Sequence, residues 1–264
     1  MKWIKSLNDL KEHFFSNKER VAGNSKITLA EKPREIYEKF CNEIAIKLFN
    51  YGFVYFPSQH KLKLESTDKK YSLFVKFSSN PENIKHQYIE LKGTFSVNSR
   101  ELKKFTKENP LINFWNETII GRDLGVLIDN EKGNVIWNLA DENDFNSALE
   151  IIPEICKTKL LNYFNQLQNV ELVATEILND NFELNSPVCT TQYLLCHNKV
   201  KEAEKYLRIF MEKKRELIFD NYIKSKNEIK VNGTPNEYVM GEGYGYDLAL
   251  LENFYKLNLN LKQN

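Results

Sequence analysis

The sequence predicts an α+β fold: an antiparallel sheet covered by helices, followed by an all-α C-terminal part. Three observations carry this. Apolar residues recur at helical period between Pro33 and Tyr51, and the period drops to two from Phe53 to Val97. Strand signals then vanish beyond about residue 169. With 264 residues the chain holds one large domain or two modest ones. The division falls as an α+β domain over 1–168 and a helical domain or subdomain over 169–264.

In chain order, Leu7, Leu10, Phe14 and Phe15 keep helical period, with Ser6 as N-cap and Gly23-Asn24-Ser25 as a stop. A stronger helix starts at Pro33, favoured in a first turn, and stripes Tyr37, Phe40, Ile44, Leu48 and Tyr51 before Gly52 ends it. Phe53 to Phe56 is a short strand, and Leu62 and Leu64 alternate with polar residues. Tyr71, Leu73, Val75 and Phe77 line one strand face, and Ile89, Leu91, Gly93, Phe95 and Val97 line another. This is a half-buried antiparallel meander, covered on its apolar face by the preceding helix. A basic helix from Arg100 to Lys107 breaks at Asn109-Pro110. Shorter strands are expected at Thr118–Ile120, Gly125–Ile128 and Asn134–Leu139, with Glu131-Lys132-Gly133 turning a hairpin between the last two. Asp141 or Asp144 caps a long helix. Pro153 falls inside it, so either the helix kinks or two helices meet there. Ser186-Pro187 opens a helix, and a second runs over 199–224 after a break near His197-Asn198. A loop at Val231–Pro235 and a last helix from Asp247 to about Leu259 finish the chain.

Composition excludes several classes. The 37 basic and 36 acidic side chains nearly cancel, which argues against nucleic acid and anionic membrane as partners. No window approaches a membrane span, and the start lacks the apolar core of a signal peptide, so a cytoplasmic location is expected. Cys41, Cys156, Cys189 and Cys196 are too sparse for a disulfide framework, and no C-x-x-C spacing exists to hold zinc. No metal and no cofactor is expected.

The element order carries a resemblance. It runs through a Tyr51-Gly52-Phe53 elbow, Ser58 to Leu64, and a Tyr71 to Ser79 strand with Asn80 and Asn83 in its turn. Ser99-Arg100-Glu101-Leu102-Lys103-Lys104 follows, and Trp137-Asn138-Leu139 then feeds Ile151-Ile152-Pro153-Glu154-Ile155. Over roughly residues 34–168 this resembles a family of uncharacterised bacterial proteins, domain-of-unknown-function family four-three-zero-four and its relatives. The resemblance implies an immunity or accessory protein near a bacterial toxin. It supplies no catalytic motif, and no functional residue carries over.

Two stretches provide binding candidates. Met240 to Asp247 sets three glycines at alternate positions before a helix. Either its N–H groups approach an anion, or it is a loop with Asp247 capping the helix and Tyr244 and Tyr246 packed or facing a partner. The spacing is neither a dinucleotide fingerprint nor a phosphate-binding loop. Between Leu160 and Asn198 there is no Lys or Arg, while Glu171, Glu176, Asp180 and Glu183 are acidic. Lys199 to Lys230 carries ten basic against six acidic residues. An acidic face of that kind steers toward a basic partner, although solvated helices explain the pattern as well. The aromatic run Tyr51, Phe53, Tyr55 and Phe56 beside Lys61 and Lys63 reads as core rather than a base-stacking platform. His13, His60, His86 and His197 accompany no nucleophile elbow, and Cys196 and His197 are adjacent on a helix and diverge.

The expected function is a non-enzymatic protein-interaction protein, immunity-like in its most specific form, which occludes a partner such as a toxin or nuclease. The alternative is an enzyme or binder for a small phosphorylated or nucleotide ligand near 241–247.

Overall fold

A computed structural model describes residues 32–109, 117–128, 133, 135–233, 243–259 and 261. The helix expected over Leu7 to Phe15, the turn residues Glu131 and Lys132, and residues 234–242 lie outside that set.

Helix α1 (Pro33–Phe49) opens with Pro33 in its first turn, while the Glu35 carboxylate accepts the Lys32 backbone N–H at 2.8 Å. Strands β1 (Val54–Phe56), β2 (Lys61–Glu65), β3 (Tyr71–Ser78), β4 (Glu90–Ser99), β5 (Thr118–Asp123) and β6 (Ile136–Asn138) form one antiparallel sheet. Its order is β1-β2-β3-β4-β5, with β6 also on β4. Among helices, α2 (Arg100–Glu108) separates β4 from β5, and α3 (Glu142–Ile155), α4 (Leu161–Leu167), α5 (Val170–Leu178), α6 (Pro187–Cys196), α7 (Val200–Asn232) and α8 (Tyr244–Phe254) follow β6. The fold is α+β, with the helices concentrated toward the C-terminus.

The chain forms two compact units. The first takes the described residues up to Glu65 with Leu73–Ser96 and Gly121–Asn165, and the second takes Ser66–Ser72, Val97–Ile120 and the described residues from Gln166 on. In the first, Leu73, Val75 and Phe77 of β3 and Leu91 and Phe95 of β4 are buried, as the period of two requires. Phe40, Ile44 and Leu48 of α1 are completely buried, and Phe40 meets Phe145 of α3 edge-on at 5.3 Å. In the second, Leu207, Met211, Ile218 and Tyr222 of α7 share a core with Tyr246 and Leu248–Leu251 of α8.

Four expectations are corrected. Gly125–Ile128 is not a strand but a 3-10 turn over Leu124–Leu127, and β6 pairs with β4 through Leu91↔Trp137. A Cβ on Gly125 would lie 2.3 Å from the Gly133 carbonyl oxygen and 2.8 Å from the Val135 nitrogen. The returning backbone therefore occupies the place of a pleated strand's side chain. Tyr51 does not continue the buried stripe, because α1 ends at Phe49; its ring is 45% exposed under the Lys157 ammonium at 4.9 Å. The helix expected over 199–224 runs on to Asn232. The last helix starts at Tyr244 rather than Asp247, after Gly243 with φ +87°.

Pro153 neither ends α3 nor separates two helices at its own position. The chain continues to Ile155, passes through a π-turn at Cys156–Leu160 and resumes as α4. Asp141 is the cap, accepting the N–H groups of Asn143 and Asp144. Proline has no N–H for the carbonyl of residue 149, and Lys47 Nζ donates to that oxygen instead, at 3.1 Å. Replacing Lys47 by Met is expected to cost about 1 kcal/mol in urea unfolding. In a Pro153→Ala background the local bond returns, and the cost of Lys47→Met should shrink. An equal cost in both backgrounds would show that the ammonium is not the proline's substitute.

Candidate functional site

Helix α8 places Tyr244, Tyr246 and Asp247 in its first turn. Tyr246 and Asp247 are buried, while Tyr244 is 49% exposed and meets the Phe210 ring edge-on at 5.5 Å. Asp247 therefore lies inside the helix rather than at its N-cap position, which Gly243 takes. Gly245 is a packing residue, since a Cβ there would approach the Ile218 carbonyl oxygen of α7 to 2.5 Å. Tyr222 donates to Glu252 at 2.5 Å and Lys226 donates to the same carboxylate at 2.9 Å, tying α7 to α8.

The acidic candidates meet α7 and its N-terminal flank. Glu171 pairs with Lys199 at 2.7 Å, and Asp180, just beyond α5, pairs with Lys213. Glu176 is half-buried on α5. Two members of the acidic stretch are thus matched by lysines from the basic stretch that follows, and the opposed charges seen in the sequence partly neutralise one another.

Three of the four cysteines are held as thiols. Burial pushes the thiols of Cys41, Cys156 and Cys196 up to about 12, so they stay protonated at neutral pH. His197 packs edge-on against Tyr193 and places Nδ1 3.3 Å from Glu101, while its Nε2 is buried without a partner. Burial lowers the His197 pKa, opposed by Glu101 and reinforced by Lys70 and Lys199. The folded protein thus disfavours the imidazolium relative to the unfolded chain, whose histidine titrates at about 6.5. This contribution to stability is complete above that value and is lost as pH falls below it, at no more than about 1.4 kcal/mol per pH unit. Urea melts between pH 7.5 and 5 should lose that part of their slope in His197→Gln. An identical slope in the variant would remove His197 as its source.

Sequence reading missed two arrangements in the first unit. One is apolar: Ile46 (74% exposed), Phe49 (73%), Tyr51, Val54 (58%) and Phe56 all project to the surface within eleven residues, at the end of α1 and along β1. Among the described residues strand β1 is the sheet's first edge, paired to β2 through Tyr55↔Leu62. Lysines rim this surface, with Lys61 over Phe56 at 5.6 Å and Lys157 over Tyr51.

The other is a cleft of about 620 Å³ lined by Arg34, Tyr37, His60, Lys61 and Lys76, together with Ser58, Gln59 and Phe77–Ser79. A smaller hollow of about 270 Å³ shares Arg34, Ser58 and His60 and adds Glu38. His60 is held at φ +46°, donating its N–H to the Pro57 carbonyl and accepting from the Phe77 N–H. Its Nδ1 is buried with no partner. The buried Tyr37 hydroxyl also has no nitrogen or oxygen partner, only the Cys41 thiol beside it. An unsatisfied buried polar atom costs about 1–3 kcal/mol, and a left-handed non-glycine residue adds strain.

Comparison with known protein families, curated proteins and solved structures finds no match to this chain. Among the described residues no cluster of His, Cys, Asp or Glu is placed to hold a metal ion, and no helix is long and apolar enough to cross a membrane.

Proposed function

We propose that this is a protein-interaction protein, immunity-like in kind, that works by covering the active surface of a partner. The observation that supports this best is the exposure of Ile46 and Phe49 at the end of α1 and of Val54 and Phe56 on β1, the first strand of the sheet among the described residues. Large exposed apolar side chains gathered in one short stretch of chain, with lysines beside two of its rings, favour association with another protein. The acidic stretch is the weaker choice of contact surface, because Glu171 and Asp180 are already engaged by lysines of this chain. The immunity reading, with a toxin or nuclease as the partner, draws on the family resemblance rather than on the surface.

The test is co-purification of the tagged full chain from its own host, followed by reconstitution with the purified partner. A single stoichiometric protein is expected, and the double variant Phe49→Glu, Val54→Lys should bind it about thirtyfold or more weakly, as loss of an interface hot spot does. Both positions are exposed, so thermal unfolding should be almost unchanged. Undiminished binding by the variant would remove this surface, and recovery of the wild-type chain alone would remove the function.

A further inference from the structure

We propose that the cleft between α1, the β1–β2 connection and β3 is a binding site for a small phosphorylated compound of nucleotide size. Arg34, Lys61 and Lys76 bring three cations to it from positions far apart in the chain, and no carboxylate lines the larger cavity. Lys61 and Lys76 pair with no carboxylate among the described residues; Lys61 instead lies over the Phe74 ring at 4.8 Å. Arg34 gives one donor, Nε, to Glu38 at 2.7 Å, and a guanidinium carries five. Charge of one sign around a concave surface raises the local concentration of anions, and forked donors suit phosphate oxygens.

Two further features separate the site from a chance gathering of lysines. Tyr37 and His60 both line the cleft; Tyr37 is 6% exposed, and its hydroxyl and His60 Nδ1 are buried atoms without a nitrogen or oxygen partner. A ligand supplies the missing hydrogen bonds where a small side-chain rotation turns these atoms to the cleft. His60, at the junction of the two hollows, is fixed in left-handed backbone geometry by bonds to Pro57 and Phe77. Such strain gathers where a side chain must be aimed. The Ser79 hydroxyl is not offered to a ligand in the same way. It donates to the Glu90 carbonyl at 2.6 Å and accepts from Asn83, so Ser58 and Ser78 are the hydroxyls left to the cleft. A volume of about 620 Å³ suits a drug-sized or nucleotide-sized molecule. The proposal does not rest on the apolar surface: the two share Lys61, while Arg34, Tyr37, His60 and Lys76 belong to the cleft.

Calorimetric titration of the full chain at low salt, with inorganic phosphate, pyrophosphate, AMP and ATP as probes, tests it. At least one probe should bind more tightly than about 1 mM. Binding of the nucleotides alone identifies an organic phosphate, whereas equal binding of pyrophosphate identifies the phosphate group as sufficient. Lys76→Glu and Arg34→Glu should each weaken binding about tenfold or more, as loss of a charge-assisted hydrogen bond does. Both side chains are exposed, and Lys76→Gln, read together with the melting curve, guards against a folding defect. Lys224→Glu, on the exposed face of α7, should leave the affinity unchanged. No binding of any probe would overturn the proposal, as would undiminished binding by the cleft variants or an equal loss in Lys224→Glu.

Discussion

Alanine at position 245 is expected to destabilise the protein by about 1–3 kcal/mol, and valine by more. Elsewhere on a helix the same change stabilises by about 1 kcal/mol, because glycine is a poor helix former. Here the sign reverses. The added Cβ would sit 2.5 Å from the Ile218 carbonyl oxygen, 2.6 Å from Asn221 Oδ1 and 2.7 Å from the Tyr222 nitrogen. Two of those atoms are backbone, so α8 must move away from α7 as a body. That movement loosens Tyr246 and Leu248 from their core and pulls Glu252 from Tyr222 and Lys226. Urea unfolding reads the effect. A Gly245→Ala variant as stable as the wild type would show that the helices do not pack at this distance.

Phe40→Ala should cost about 3–5 kcal/mol, a large share of the roughly 5–15 kcal/mol that holds a domain folded. Phe40 is fully buried and its ring meets Phe145 at 82°. Removing it leaves a cavity between α1 and α3 with Ile44 and Leu48 also at 0% exposure, and neither helix can collapse inward without breaking its other contacts. Phe145→Ala in the same background should add less than it does alone, by about 0.5–1.5 kcal/mol, because the ring pair is lost only once. Ile46→Ala, on the exposed side of the same helix, should change stability by no more than about 0.5 kcal/mol. Equal costs at 40 and 46 would refute the assignment of the buried face.

Elements whose signal is local were legible in the sequence. Alternation in β3 and β4, the Ser186-Pro187 start of α6 and a cap at Asp141 or Asp144 depend on residues a few positions apart; the first two appear where the sequence put them, and the structure selects Asp141. Position 125 was not legible, because the reason for the 3-10 turn is the backbone of Gly133 and Val135 lying against it. Nor was Gly245. A glycine before a helix reads as a loop, and only the neighbouring α7 backbone makes it an interior residue. The acidic stretch was visible as composition, but its counter-charges come from Lys199 and Lys213. The cleft was visible only in pieces: Lys61 and His60 drew attention singly, and Arg34 and Lys76 join them through sheet pairing and helix docking.

The bond from Lys47 to the Leu149 carbonyl bears on the order of events in folding. Isolated α3 lacks one rung of its own ladder at Pro153, and the replacement donor lies 102 residues earlier in the chain. The helix therefore cannot complete its hydrogen bonding as a local event; it does so only when α1 arrives. Such a link raises the mean sequence separation of native contacts, and it makes the last bond of α3 a product of the tertiary assembly.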